Sequence, residues 1–147
     1  MFRFATAAAL TVVLSTSALA EMTVEDAYAR SSNPRAGAAF MVITNSGESD
    51  DRLIAVKSGA AVRIELHTHV EEDGIMRMMH VEDGFEIPAG GSLYLKRGAE
   101  HLMFMGLNAP FEQGATVSVT LVFQSGIEMP IEIPVDNDRM DSMAPGN

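Results

Sequence analysis

All four histidines of this 147-residue chain sit in two short stretches, "IELHTHVEEDGIMRMMHVEDG" (64–84) and "HLMFMGL" (101–107), and both stretches are interleaved with methionine. Neutral imidazole and thioether together suit a soft monovalent ion, copper(I) above all. Zinc favours thiolate, imidazole and carboxylate, and calcium and magnesium require oxygen. The chain has no cysteine. That removes nucleophilic thiols, Cys-ligated zinc and blue-copper sites, which need a Cys sulfur. A thioether needs no deprotonation and cannot close into a disulfide, so it fits a metal carrier in an oxidising compartment; its liability is oxidation to the sulfoxide.

Extended chain must position these groups, and in a strand alternate side chains share a face. In "AVRIELHTH" (61–69), Val62, Ile64 and Leu66 form the apolar face, while Arg63, Glu65, His67 and His69 form the other. In "GIMRMMHV" (74–81), Met76, Met78 and His80 lie opposite Ile75, Arg77 and Met79. In "HLMFMGL", His101, Met103 and Met105 lie opposite Leu102 and Phe104. A methionine stripe is ordinarily core filler. Here each stripe carries a histidine in phase with it, which core filling does not require.

The rest of the sequence is also patterned as β structure. Strands are predicted at 38–45, 52–58, 61–69, 74–81, 92–98, 101–107, 116–124 and 128–135, runs rich in Val, Ile, Leu and Phe. Turn signals separate them, among them Asn45-Ser46-Gly47, Glu72-Asp73-Gly74, Asp83-Gly84 and Pro88-Ala89-Gly90-Gly91. No helical period persists beyond a turn or two. Short strands at this spacing predict an all-β fold, an antiparallel two-sheet sandwich.

Residues 1–20 read as a signal peptide. Arg3 precedes an apolar run from Ala5 to Leu14, and Ala18-Leu19-Ala20 is a small-x-small cleavage site before Glu21. The run is too short for a membrane-spanning helix. One domain, 21–135, is expected to follow, ending in a tail (136–147) that loses the apolar alternation. The formal charge is −10, one unit more negative once Arg3 is removed. Such a surface argues against nucleic acid and anionic lipid and is compatible with attracting cations.

The sequence resembles the PCuAC family of periplasmic copper chaperones. The likeness runs through "FMVITNSG", "DRLIAV", "IELHTHVEEDGIMRM", "IPAGGSLYLKRGAEHLMFMGL" and "PFEQGATVSVTLVF", most of the domain after residue 20. The resemblance implies a cupredoxin-like Greek-key sandwich and a metal motif of His, ten residues, Met, twenty-one residues, then His-x-Met. On this chain the motif falls on His67, Met78, His101 and Met103, with one departure: twenty-two residues separate Met78 from His101. The Gly-containing stretch "VEDGFEIP" can absorb the extra residue. A register slip would instead put Met79 in place of Met78, but alternation turns Met79 to the face of Ile75. Met76, His69, His80 and Met105 remain reserve donors.

By resemblance, the four residues would form one His2Met2 site for copper(I) near the sandwich edge, in an exported, periplasmic carrier. The acceptor would be the dicopper site of cytochrome c oxidase or a helper protein on that route. Met140 and Met143, with Asp136, Asp138 and Asp141, offer a second set of donors in the tail. Three other readings compete. Copper buffering or tolerance would use the same site. An exported sandwich could present its His/Met face to protein rather than metal. A copper redox enzyme is disfavoured by the missing Cys, and no Ser-His-Asp order, phosphate loop or H-E-x-x-H signature marks another catalytic class.

Overall fold

A computed structural model describes residues 22–139. The proposed signal peptide and its cleavage site, and Met140, Asp141 and Met143 of the tail, lie outside the described residues. Ten strands follow one another: β1 (Met22–Asn33), β2 (Ala36–Asn45), β3 (Asp51–Lys57), β4 (Ala61–Glu72), β5 (Ile75–His80), β6 (Phe85–Ile87), β7 (Ser92–Leu95), β8 (His101–Leu107), β9 (Thr116–Phe123) and β10 (Glu128–Pro134). They form two antiparallel sheets. One has the order β1-β2-β8-β4-β5, with β7 also on β2, and the other has the order β10-β9-β3-β6.

All eight predicted strands are present within a few residues of their expected bounds. The sequence reading missed β1 and β6. In β1 a bulge between Glu25 and Tyr28, with Asp26 at φ 57°, breaks the period of two that would reveal it. The three-residue β6 is too short to show a period.

The inner faces of the sheets build the core. Leu66, Leu102 and Phe104 come from β4 and β8, and Leu53, Leu121, Phe123 and Ile133 from the opposing sheet; all are buried. The period of two predicts this correctly except at Val62, which is 84% exposed. Buried Asn45 ties the sheets together at the end of β2. Its amide donates to the carbonyls of Ser49 (2.8 Å) and of Ile87 in β6 (3.1 Å), and its Oδ1 accepts from the Gly47 N–H (3.0 Å).

Two local features shape the outer face of the larger sheet. First, β4 and β5 form a two-residue hairpin whose turn, Asp73-Gly74, has φ of 51° and 80°. Positive φ at both positions is the turn that matches strand twist, and Asp-Gly is a sequence that adopts it readily. The hairpin carries β5 to the sheet edge, where all six of its residues are exposed. Second, β7 and β8 lie end to end along β2, pairing with 41–44 and 36–39 respectively. The connection between them, residues 96–100, is a tight loop beside Phe40 and the start of β8, with the Lys96 N–H donating to the Glu100 carbonyl (2.8 Å) and the Ala99 N–H to the Lys96 carbonyl (3.1 Å).

Candidate metal centre

The strand register places the donors on a grid. Across β8, β4 and β5, one row reads His101, His67, His80. The row before it pairs Met103 with Glu65, and the row after it pairs His69 with Met78. Same-face rows in a strand lie about 6.7 Å apart. His67, His101, Met103 and Met78 therefore occupy three consecutive rows of one face. The outlying methionines fall a row further out: Met105 pairs with Arg63 and Met76 with Glu71, each about 13 Å along the strand from the His67 row. The Met105 sulfur is also engaged by the Arg63 guanidinium at 3.7 Å. Met79 pairs with Thr68 and points to the opposite face.

Although these groups are on the outer face, the central rings are covered. His67 is 9% and His101 4% exposed. Phe40 lies against His101 with ring centroids 6.2 Å apart, and the 96–100 connection closes over it. The His101 ring is 5.8 Å from that of His67 and 5.3 Å from that of His69, and His67 is 6.1 Å from His80. Met78, on the edge strand, is 51% exposed. A cavity of about 250 Å³ opens here, and His69, Met78, Arg97, His101 and Met103 line it. His67 is not on its wall.

Hydrogen bonds fix which nitrogen of each ring is free. The Ala99 carbonyl can only accept, and it receives His101 Nδ1 at 2.9 Å and His69 Nδ1 at 3.3 Å. Both rings therefore carry hydrogen on Nδ1 and keep a lone pair on Nε2. His67 has the opposite tautomer, because its Nε2–H donates to Glu65 Oε2 at 2.8 Å. Its Nδ1 is buried and has no hydrogen-bond partner among the described residues. An orphaned buried acceptor is costly unless a ligand engages it. Each of the three rings thus holds one lone pair ready for a metal, with its other nitrogen oriented by an oxygen, the arrangement typical of ligating histidine.

Electrostatics favour the same protonation states. The hydrogen bond from His67 holds the Glu65 carboxyl below its ordinary value, aided by the charges of His80 and Arg63, and desolvation opposes it in part. Burial pushes His101 below the usual imidazole value, partly offset by its bond to Ala99. The first shift keeps Glu65 a charged acceptor for the His67 Nε2–H, and the second keeps His101 neutral, as ligation by that ring requires. No group of three or more His, Cys, Asp or Glu side chains among the described residues converges to hold an ion. A metal bound here must also use the thioethers, which makes the donor set soft.

Residues 22–135 match the family model described as "Putative lipoprotein LpqE-like". The chain belongs to the LpqE-like family. This LpqE-like chain is 38% identical over 112 residues to "Putative lipoprotein Lxx21020" of Leifsonia xyli subsp. xyli, covering 76% of this chain and 68% of that one. It is 22% identical over 102 residues to the uncharacterized protein RP573 of Rickettsia prowazekii, covering 69% and 56%. Among solved structures, the copper(I) form of DR1885 from Deinococcus radiodurans superposes with a TM-score of 0.64 at 30% identity, covering 82% of this chain and 83% of that one. The copper-bound PCuAC domain from PmoF2 superposes with a TM-score of 0.66 at 21% identity, covering 82% and 97%, a likeness of fold. The LpqE-like chain thus has the cupredoxin-like sandwich of PCuAC domains, as its sequence predicts.

Alternation groups His67 with His69, Met78 with His80, and His101 with Met103 within their own strands, and the pairing of β8, β4 and β5 brings those three faces together. It did not reveal the supporting groups. Glu65, two residues before His67 on the same face, was open to notice as an oxygen partner. The Ala99 carbonyl was not, because it belongs to a connection with no period.

Proposed function

We propose that this chain is an exported carrier of copper(I) that holds the ion among His67, Met78, His101 and Met103 and passes it to an acceptor protein. The observation that carries the reading is the pair of buried rings, His67 and His101, paired in one row, each with one oriented nitrogen and one free lone pair, and flanked by a thioether in the row on either side. That set matches copper(I) in softness and lacks the thiolates or carboxylates that would favour zinc. The 30% identical neighbour whose solved form is named for copper(I) supports it. The acidic surface and the lipoprotein name of the Leifsonia relative agree with export and cation handling.

Transport explains why the rings are covered while Met78 stands at an open edge. Buried imidazoles supply geometry, and the thioethers, half-buried Met103 and exposed Met78, supply a grip that an incoming donor can replace. By family resemblance the acceptor is the dicopper site of cytochrome c oxidase or an assembly protion feeding it, in the periplasm. The test is a copper(I) competition titration of the chain from Glu21 against a colorimetric chelator, anaerobic and reducing. One tightly held copper(I) per chain that zinc does not displace is expected. Failure to compete with the chelator would refute the reading and leave a fold without this function.

A further inference from the structure

Resting on the copper reading above, we propose that His69, which lies outside the four-residue motif, is a third imidazole of the site: it exchanges with His67 on the bound copper(I) and serves as its exit ligand. Three observations lead there. His69 shares the Ala99 carbonyl with His101, and the two rings lie closer (5.3 Å) than His101 and His67 (5.8 Å). His69 lines the cavity together with Met78, His101 and Met103, whereas His67 does not. His69 is also the register partner of Met78 on the exposed edge strand and is itself half-buried, so it is more open than the buried His67.

His101 is therefore common to two imidazole pairs, an inner pair with buried His67 and an outer pair with His69. Exchange between them breaks one bond from copper to His67 Nδ1 and forms one from copper to His69 Nε2. The copper stays monovalent. No proton has to move, because Ala99 and Glu65 already hold the hydrogens on the opposite nitrogens of the two rings. A stepwise replacement of one ligand at a time avoids a bare ion, so it lowers the barrier to release without requiring weaker binding.

Long-range nitrogen–proton NMR of the chain from Glu21, without and with one equivalent of copper(I), reads each ring nitrogen directly. Shifts at His67 Nδ1, His101 Nε2 and His69 Nε2 are expected. The second readout is capture of copper by a chelator. In His69→Ala the capture rate should fall about tenfold or more, with little change in affinity. His69→Gln, which can still donate to Ala99, should behave the same way, separating ligation from support of the connection. A His69 Nε2 signal that stays put while those of His67 and His101 move overturns this inference alone, as does a capture rate that only follows affinity. No movement at any of the three rings overturns the copper reading, and this inference with it.

Discussion

His67 Nε2 lies 2.8 Å from Glu65 Oε2, a contact between residues two apart on one strand and on one face. The same carboxylate accepts from Arg63 Nε at 2.9 Å through its other oxygen, and its side chain is only 15% exposed. This small acidic anchor decides the tautomer of His67 and leaves Nδ1 as the nitrogen with a free lone pair.

Removing that anchor should weaken copper binding without unfolding the protein. In Glu65→Ala the ring loses its oriented tautomer, and copper(I) affinity should fall by roughly 10–100-fold, the usual cost of losing an outer-sphere partner of a ligating histidine. Glu65→Gln keeps an acceptor oxygen and should recover part of the loss. The competition titration measures both, and equal affinity in all three proteins would remove Glu65 from the site.

The contrast between strand positions and connections explains what the sequence could reveal. Within each strand the separation of Leu66 from His67, and of Leu102 and Phe104 from His101 and Met103, follows from a period of two, and the β4–β8 register then aligns the two faces. Burial of His101 does not, because it depends on Phe40 and on the 96–100 loop, whose Ala99 carbonyl holds the ring. Nor does the shared hydrogen bond of His69 and His101, since a backbone carbonyl leaves no mark on residue type. Likewise β1 escaped notice because the bulge at Asp26 interrupts its alternation, and Val62 has an apolar-face position at a place the opposing sheet does not cover.

The two candidate methionines for the second motif position can be separated by a pair of leucine substitutions. Met78 faces the cavity beside His69, whereas Met79 faces away. Met78→Leu should weaken copper(I) binding, and Met79→Leu should leave it nearly unchanged. Both side chains are about half exposed, so each change should alter stability by no more than about 0.5 kcal/mol. The reverse ranking in the titration would put the extra residue between His67 and Met79, within the β4–β5 hairpin, rather than between Met78 and His101.

Acid should destabilise the metal-free protein in two stages. Burial holds His101 below the ordinary 6.5 in the folded state, so the unfolded chain takes up its proton first as pH falls. Its contribution to stability is complete above about pH 6.5 and is lost as pH falls through the lower folded value. The hydrogen bond from His67 likewise holds Glu65 below 4.5, so its contribution is complete above that value and is lost at still lower pH. Denaturant titrations from about pH 8 down through the range in which imidazole and carboxylate titrate should show a falling midpoint. In His101→Gln the first stage should be absent; an unchanged profile would show that His101 titrates normally in the folded protein.

Gly84 tests how the hairpin is held to the rest of the sandwich. It follows β5 where the chain leaves the larger sheet for β6, and its φ is +75°. A Cβ there would lie 2.0 Å from the Leu53 carbonyl oxygen of β3 and 3.0 Å from the Ile54 Cα. Both are backbone atoms and cannot rotate aside. The turn is further secured by the Gly84 N–H donating to the Val81 carbonyl and by Arg52 Nη1 donating to the Asp83 carbonyl. Gly84→Ala therefore combines a left-handed backbone with a clash, and should cost roughly 2–4 kcal/mol of stability. Gly74→Ala is the control, since its φ is also positive (+80°) but its Cβ would meet nothing within 4 Å. It should cost only about 1 kcal/mol. Chemical denaturation of the two variants reads the difference, and equal losses would show that the close packing at Leu53 is not what fixes the turn.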